Sequence, residues 1–524
     1  MRRQVTFKTT PVSLIYARPQ TAIRPSALWN QHRVRYSHHV PTQQSEPPLP
    51  ATGGLSASPG STRPYATLNS TASFTNPPTS SPLSILPLPT LLRSLFVTII
   101  SSSPLLFTPS LAFLSVLENP HSTFLNPDRN PVLKLLLEQT LYTQFCAGET
   151  PAEVKVNIQK LKDIGYTGVI LGYAREVVMD ENEIRSLSQV SDAEEAAESV
   201  SQAIADITSW KEGTLATVNL ADEGDFVAIK FTGAGRGSVQ QLLRRSAPSP
   251  ALREAILEIC ERAKTRNVRL LIDAEQQAVQ PAIDDWALEF QRMYNKGPDL
   301  QALVYGTYQA YLRSTPTTLS RHLAMAEAEG FALGVKLVRG AYLGTEPRHL
   351  IWDTKVETDN TYDGIAESLI KREYGNVLKP DYSSSTSGST GQSNCQHHTF
   401  PKVNLVLASH NRASVERARK LRNEQLRTTG RTKIELAYGQ LLGMADDIGC
   451  ELVQNGKTAH EQQAEGLMVE VDTPKAYKYL VWGTVGECTR YLVRRAQENR
   501  DAASRTADTR TAIAKELRRR LVGD

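Results

Sequence analysis

Eight short apolar runs recur between residues 167 and 483, each followed by a stretch long enough for a helix. They are TGVILGY (167–173), FVAIKFT (226–232), VRLLIDA (268–274), ALVYGTYQ (302–309), GVKLVRG (334–340), VNLVLAS (403–409), IELAYGQ (434–440) and YKYLVWG (477–483). Near-continuous apolar runs suit strands buried on both faces, as in a parallel sheet covered by helices. Eight strand–helix units close naturally into a TIM-type (β/α)8 barrel, the α/β fold expected here. A doubly wound open sheet is the alternative that the pattern alone leaves open.

The rest of the chain is organised around that rhythm. Residues 1–45 carry seven basic residues (Arg2, Arg3, Lys8, Arg18, Arg24, Arg33, Arg35) and no acid before Glu46. This Arg-rich, acid-free composition is expected of a mitochondrial transit peptide, with Arg35-Tyr36-Ser37 as a processing point; a basic tail is the alternative. The formal charge of +4 is therefore misleading, because without those seven the chain carries −3, with 52 basic against 55 acidic residues. A slightly acidic body is a poor match for a polyanion, so nucleic acid is not an expected partner. Residues 46–90, rich in Ser, Thr and Pro, are expected to form a disordered linker, and 91–164 an N-terminal helical region. The barrel is expected over 165–500 and a C-terminal helix over 501–524.

Leu91 to Leu117 is the most apolar stretch, but Pro104, Pro109 and several serines break it below the ~18 residues that a spanning helix needs. Two short helices lying on the body or on a membrane surface are expected instead. Two insertions interrupt the barrel: an acidic stretch from Met179 to Val200, read as a solvated helical excursion, and a low-complexity segment within 374–400, read as a mobile loop. The five cysteines are scattered and include no C-x-x-C pair, as expected of reduced thiols. His397 and His398 have no carboxylate or third histidine at ligand spacing, so no metal is expected.

In such a barrel, ligands meet the carboxyl ends of the strands, so the polar residues there are the candidates. Lys230, between Ile229 and Phe231, needs an anionic partner or a depressed pKa if it points inward; a structural ion pair is the competing reading. Run three ends Asp273-Ala274-Glu275. Run five places Lys336 and Val338 on one face with Arg339 at the exit, and Gly340 and Ala341 after it would let backbone approach a bulky ligand closely. Run six ends Ser409-His410-Asn411, where a lone histidine is as well read as a structural hydrogen-bonding group. After run eight, Arg494 and Arg495 lie about 100° apart on a helix and can flank one small anion, a carboxylate by preference. Against this stands a solvated face in which Glu498 pairs with Arg494 at i+4.

Taken in order, IDAE, YQAYLR (308–313), KLVRGAYL (336–343), ASHN (408–411), GQLLGM (439–444) and YLVRRAQEN (491–499) resemble the proline dehydrogenase family, from Phe145 to Asn499. Single pieces are weak; six in one order are specific. The resemblance implies a distorted (β/α)8 barrel with an N-terminal helical extension that holds FAD and oxidises L-proline to Δ1-pyrroline-5-carboxylate. Electrons would pass to a membrane quinone, and the protein would sit in the mitochondrial matrix in peripheral contact with the inner membrane. It implies that Arg494, Arg495 and Lys230 hold the substrate carboxylate; Glu176, after run one, is further expected to pair with Arg494 when substrate is bound and close the site. Asp273, Lys336 and Tyr479 would form the catalytic pocket, Lys336 near the flavin and Tyr479 walling the substrate ring. Gln309, Lys336, Val338, Arg339, Gly340, Ala341, Tyr342, Ser409, His410, Gln440 and Glu498 would contact the cofactor. A bulky Tyr479 argues against a 4-hydroxyl, leaving hydroxyproline dehydrogenase as the nearest alternative and a flavin-free Schiff-base barrel lyase using Lys230 or Lys336 as a remoter one. One departure stands out: Tyr479-Leu480-Val481-Trp482-Gly483-Thr484 lacks the prolines the family often carries there, which predicts a looser turn into the arginine helix.

Overall fold

The eight runs form eight strands: β1 Gly168–Tyr173, β2 Phe226–Ile229, β3 Arg269–Ile272, β4 Val304–Gln309, β5 Leu333–Val338, β6 Val403–Ala408, β7 Glu435–Leu441 and β8 Lys475–Trp482. Each pairs in parallel with the next, and β1 pairs with β8 in the register Ile170↔Tyr479, so the sheet closes and an open doubly wound sheet is excluded. The computed structural model describes residues 81–118, 123–175, 177, 179, 181–189, 200–297, 301–381, 399–465, 471–500 and 503–523. The expected transit peptide, most of the expected linker, the segment 382–398 and Glu176 lie outside the described residues, as does the side chain of Glu498.

Several strands stop earlier than their runs. β2 ends at Ile229 and Phe231–Ala234 turns as a 3-10 helix, because the Phe231 carbonyl leaves the ladder to accept from Ser238 Oγ at 2.8 Å. Lys230, Asp273 and Arg339 therefore stand just past strand ends, where a loop side chain can reach the barrel axis.

The amino-terminal end of the barrel is plugged. Phe226 meets Tyr477 and Tyr305 edge-on, at centroid separations of 5.1 and 5.6 Å. Arg269 caps this cluster 4.1 Å above the Phe226 ring and is held by Glu435 at 2.9 Å. A large aromatic interior capped by a charged side chain fills the barrel axis at this end, and the strand-end polar residues line a cavity at the opposite, carboxyl end.

The described residues already show structure before the expected boundary at residue 91, with a 3-10 turn at Pro82–Ile85 followed by helix α1, Leu88–Ser102. Leu83, Leu86 and Leu91 are buried against Cys450 and against Ile513 and Leu517 of the closing helix Ala503–Val522, which supplies the apolar contacts a free linker would lack. Arg520 of that helix donates to the carbonyls of Leu83, Ser84 and Leu86. Helix α2, Pro104–Glu118, turns through 98° from α1, and no single helix among the described residues is long and apolar enough to cross a membrane. Helix α3, Pro131–Leu137, is capped by Asn130 and runs into a π turn, whose Tyr142 hydroxyl donates to the Gly483 carbonyl at 2.6 Å.

That last contact belongs to the turn expected to be loose. Thr484 and Glu487 form a reciprocal capping box, with Thr484 N donating to Glu487 Oε2 at 2.9 Å and Glu487 N donating to Thr484 Oγ1 at 3.2 Å. Asp128 accepts from Gly486 N at 2.8 Å and from Thr484 Oγ1 at 3.1 Å. Gly483, at φ +147°, fits beside Glu487 and Ala174 where a side chain would not. Hydrogen bonds and glycine do here what proline does elsewhere, and the turn into the arginine helix, Val485–Arg500, is tied on three sides.

Candidate active site

A cavity of about 320 Å³ opens at the carboxyl ends of the strands. Period-two alternation explains its lining. Thr307 and Gln309 continue the inward face that Tyr305 begins in β4, Lys336 and Val338 belong to one face of β5, and Tyr479 and Val481 follow Tyr477 in β8. Lys230 follows Ala228 and Asp273 follows Leu271 in the same way. Arg339, Gly340, Ala341 and Tyr342 come from the loop after β5, Ser409 and His410 from the end of β6, Gln440 from β7, and Arg494 and Arg495 from the arginine helix. Every predicted site residue whose side chain is described thus meets in one cavity. The sequence reading missed Tyr173, Thr307, Met444 and Tyr491, which also line it; Thr307 was legible, being two residues before Gln309.

At its centre lies a buried trio. Lys336 Nζ pairs with Asp273 Oδ1, and the Tyr479 hydroxyl donates to Asp273 Oδ2 at 2.8 Å. Lys336 Nζ also stands 5.0 Å from the Tyr479 ring centroid. One carboxylate therefore fixes both a cation and a tyrosine, and burial with the adjacent Asp273 charge pushes the Tyr479 phenol well above its ordinary range. Tyr479 is a locked, protonated wall.

Two further cations come from the arginine helix. Arg494 lies 5.5 Å from the Tyr342 ring centroid and Arg495 lies 5.4 Å from that of Tyr491, so aromatic faces hold both guanidinium planes. Adjacent guanidinium groups walled by tyrosines can take a small carboxylate from two directions.

Several expected cofactor contacts are already engaged by protein. Arg339 donates to Asp359 at 2.9 Å, Ser409 at 2.6 Å and Ser414 at 2.8 Å, and stacks on Tyr362 at 4.2 Å. His410 Nε2 accepts from Leu441 N at 3.1 Å, which is the structural hydrogen bond weighed for a lone histidine and fixes that nitrogen as unprotonated. Gln309 accepts from Ala341 N at 3.1 Å and donates to the Glu275 carbonyl at 3.3 Å, leaving its second N–H. Gln440 Oε1, in contrast, is buried and has no hydrogen-bond partner among the described residues.

Gly340 lines the cavity and meets a second constraint besides the expected approach to a ligand. A Cβ there would lie 2.5 Å from the Tyr311 ring, so this close approach is to a buried tyrosine of the scaffold. Gly340→Ala is expected to cost about 1–3 kcal/mol of unfolding free energy through overpacking, and Tyr311→Leu in the same chain to restore part of it, measured by chemical denaturation.

Glu275, the last residue of IDAE, is buried beneath the site and accepts from Thr232 N at 3.2 Å and from the Thr232 hydroxyl. Burial pushes its carboxyl up to about 7 from the ordinary 4.5, against the pull of the Thr232 donors. A raised carboxyl binds its proton more tightly in the folded chain, so its contribution to stability is full below pH 4.5 and is lost as pH rises to about 7. The loss is on the order of 3 kcal/mol at 1.36 kcal/mol per unit. Glu275→Gln should flatten this decline, read as the difference between variant and parent in unfolding free energy at pH 5 and pH 8.

The four described cysteines, Cys146, Cys260, Cys450 and Cys488, are free and buried, and no cluster of metal-ligating side chains occurs among the described residues.

A family profile described as "Proline dehydrogenase" matches residues 154–508. The chain is 32 % identical over 467 residues to the "Probable proline dehydrogenase, mitochondrial" of Schizosaccharomyces pombe, covering 82 % of this chain and 88 % of that one. It is 27 % identical over 446 residues to the "Hydroxyproline dehydrogenase" of Rattus norvegicus, covering 74 % and 83 %. In backbone it resembles proline utilization A (PutA) from Bdellovibrio bacteriovorus, inactivated by N-propargylglycine, with a TM-score of 0.50 at 17 % identity; the match covers 78 % of this chain and 38 % of that one, and supports the fold alone.

Proposed function

The chain belongs to the proline dehydrogenase family, and from that premise we propose that it oxidises L-proline to Δ1-pyrroline-5-carboxylate with bound FAD in mitochondria, passing the electrons to a membrane quinone. The observation that carries the substrate is the pairing of two cation-bearing walls with one neutral one. Arg494, Arg495 and Lys230 hold the carboxylate, and the locked Tyr479 ring packs against the apolar face of the pyrrolidine. Overall, L-proline loses a hydride from Cδ and a proton from nitrogen as the C=N bond forms.

The residues present fit a flavin. Gln440 Oε1 is an unmet buried acceptor in the cavity wall, which an imide N–H would satisfy. Gln309 has a donor left for a ring nitrogen or carbonyl. Lys336, Val338, Arg339, Gly340, Ala341, Tyr342, Ser409, His410 and Glu498 would hold the rest. When bound, FAD supplies the two-electron acceptor; no G-x-G-x-x-G turn is required, because the contacts come from strand ends. Asp273 acts through the two groups it fixes, holding the Lys336 ammonium and Tyr479 in place. Glu176 would close the pocket by pairing with Arg494.

A peripheral membrane contact is supported by the apolar side chains that α1 and α2 leave in solvent: Leu92, Phe96, Leu105 and Leu106 are all exposed, Leu105 to 88 %. The transit peptide read at residues 1–45, and the mitochondrial names of similar proteins, support delivery to the matrix.

Preference for proline over hydroxyproline is tested directly by initial rates with each imino acid. Tyr479, tied to Asp273, has no freedom to yield to a 4-hydroxyl, so kcat/KM should favour L-proline by on the order of 10–200-fold. Equal or reversed preference would assign the chain to the hydroxyproline branch.

A further inference from the structure

We infer that the crevice between α1, α2, α3 and the arginine helix is the binding site of the electron acceptor, a benzoquinone bearing a hydrocarbon tail. The inference rests on the proposed oxidation of proline and goes beyond it by assigning the acceptor a place.

The crevice encloses about 240 Å³ and its wall is almost wholly apolar, with Phe107, Leu111, Leu114 and Phe145 among its lining. Arg495 lines it, and Arg495 also lines the substrate cavity. The two spaces thus share one side chain. Its lining also includes Phe96, Phe113 and Leu136, which are 50 %, 44 % and 55 % exposed and adjoin the exposed apolar side chains of α1 and α2. The arrangement is an apolar crevice whose lining combines side chains exposed on a surface suited to lipid with a guanidinium that also lines the redox site.

Such a crevice selects its occupant by chemistry. A hydrocarbon tail is matched by the leucine and phenylalanine wall, and a quinone carbonyl is matched by the Arg495 N–H donors. A fatty-acyl chain would fill the wall but carry no electrons away. The electrons balance: L-proline gives up two electrons and two protons on becoming the imine, and the quinone takes up two of each, its two C=O groups becoming C–OH.

Ser110 and Thr140 line the crevice, are partly buried and lie outside the substrate cavity. Ser110→Trp and Thr140→Trp, prepared separately in the full-length, FAD-loaded protein, should fill it. Two readouts separate the inference from the reading beneath it. Anaerobic bleaching of the flavin by L-proline, without quinone, reports the substrate half alone and is expected to be unchanged in both variants. The KM for decylubiquinone is expected to rise at least tenfold, and a photoreactive azidoquinone should label peptides of α1, α2 or the arginine helix in the parent chain and lose that labelling in the variants. Failure of the parent to bleach would overturn the proline reading. Normal bleaching with an unchanged quinone KM in both variants, or labelling confined to other parts of the barrel, would overturn the crevice as the acceptor site and leave it a lipid-filled groove.

Discussion

Arg494→Lys is expected to lower kcat/KM for L-proline by about a hundredfold or more, with most of the loss in KM and no loss of bound flavin. The guanidinium fork over Tyr342 can present parallel donors to a carboxylate, whereas an ammonium is a point charge that neither stacks as well nor matches two oxygens. Truncating one partner of a buried, hydrogen-bonded charge pair costs about 2–5 kcal/mol, and the figure given lies within that range. Arg495→Lys should behave alike toward proline. Steady-state kinetics with flavin content measured alongside checks both, and an unchanged KM for proline in either variant would remove that residue from the carboxylate grip.

The second large effect belongs to the buried trio. Asp273→Ala leaves the Lys336 ammonium without its carboxylate and the Tyr479 hydroxyl without its acceptor. Breaking a buried pair from one side costs about 3–5 kcal/mol, because the remaining charge is uncompensated. Replacing both ends, as Asp273→Leu with Lys336→Met, should be far less destabilising than Asp273→Ala, since no charge remains to be desolvated. Both should lose proline oxidation, the first through misplacement of Tyr479 as well as of Lys336. Denaturant unfolding of the single and double variants measures the asymmetry; equal destabilisation would mean that the pair contributes by packing alone.

How far the sequence carries can be judged residue by residue. The barrel was legible because each strand is buried on both faces and so appears as an unbroken apolar run, from TGVILGY to YKYLVWG. The gathering of Lys230, Asp273, Lys336 and Arg494 was legible because each lies near the carboxyl end of a strand or on the helix that follows β8, and a closed barrel brings all such positions to one mouth. What the residues could not show is partnership. That Asp273 is shared by Lys336 and Tyr479 depends on side chains 63 and 206 positions apart meeting across the barrel. The packing of Gly340 against Tyr311 was hidden for the same reason, since that ring comes from a neighbouring strand's loop. The turn before the arginine helix looked loose because proline is visible in a sequence, whereas the clamp from Asp128, more than 350 residues away, is not. The packed turn at Pro82–Ile85 had a faint local signal in Leu83, Leu86 and Leu91, but their partners Ile513 and Leu517 lie more than 400 residues on.

The central claim is that a cationic grip holds a cyclic imino acid against an oxidised flavin in this barrel. It is tested most directly by mixing the purified, flavin-loaded protein with L-proline in the absence of oxygen and of any other acceptor, and measuring flavin absorbance and product together. One equivalent of Δ1-pyrroline-5-carboxylate for each flavin bleached is the predicted result. A flavin that keeps its colour under saturating L-proline, or bleaching with no imine formed, would contradict it.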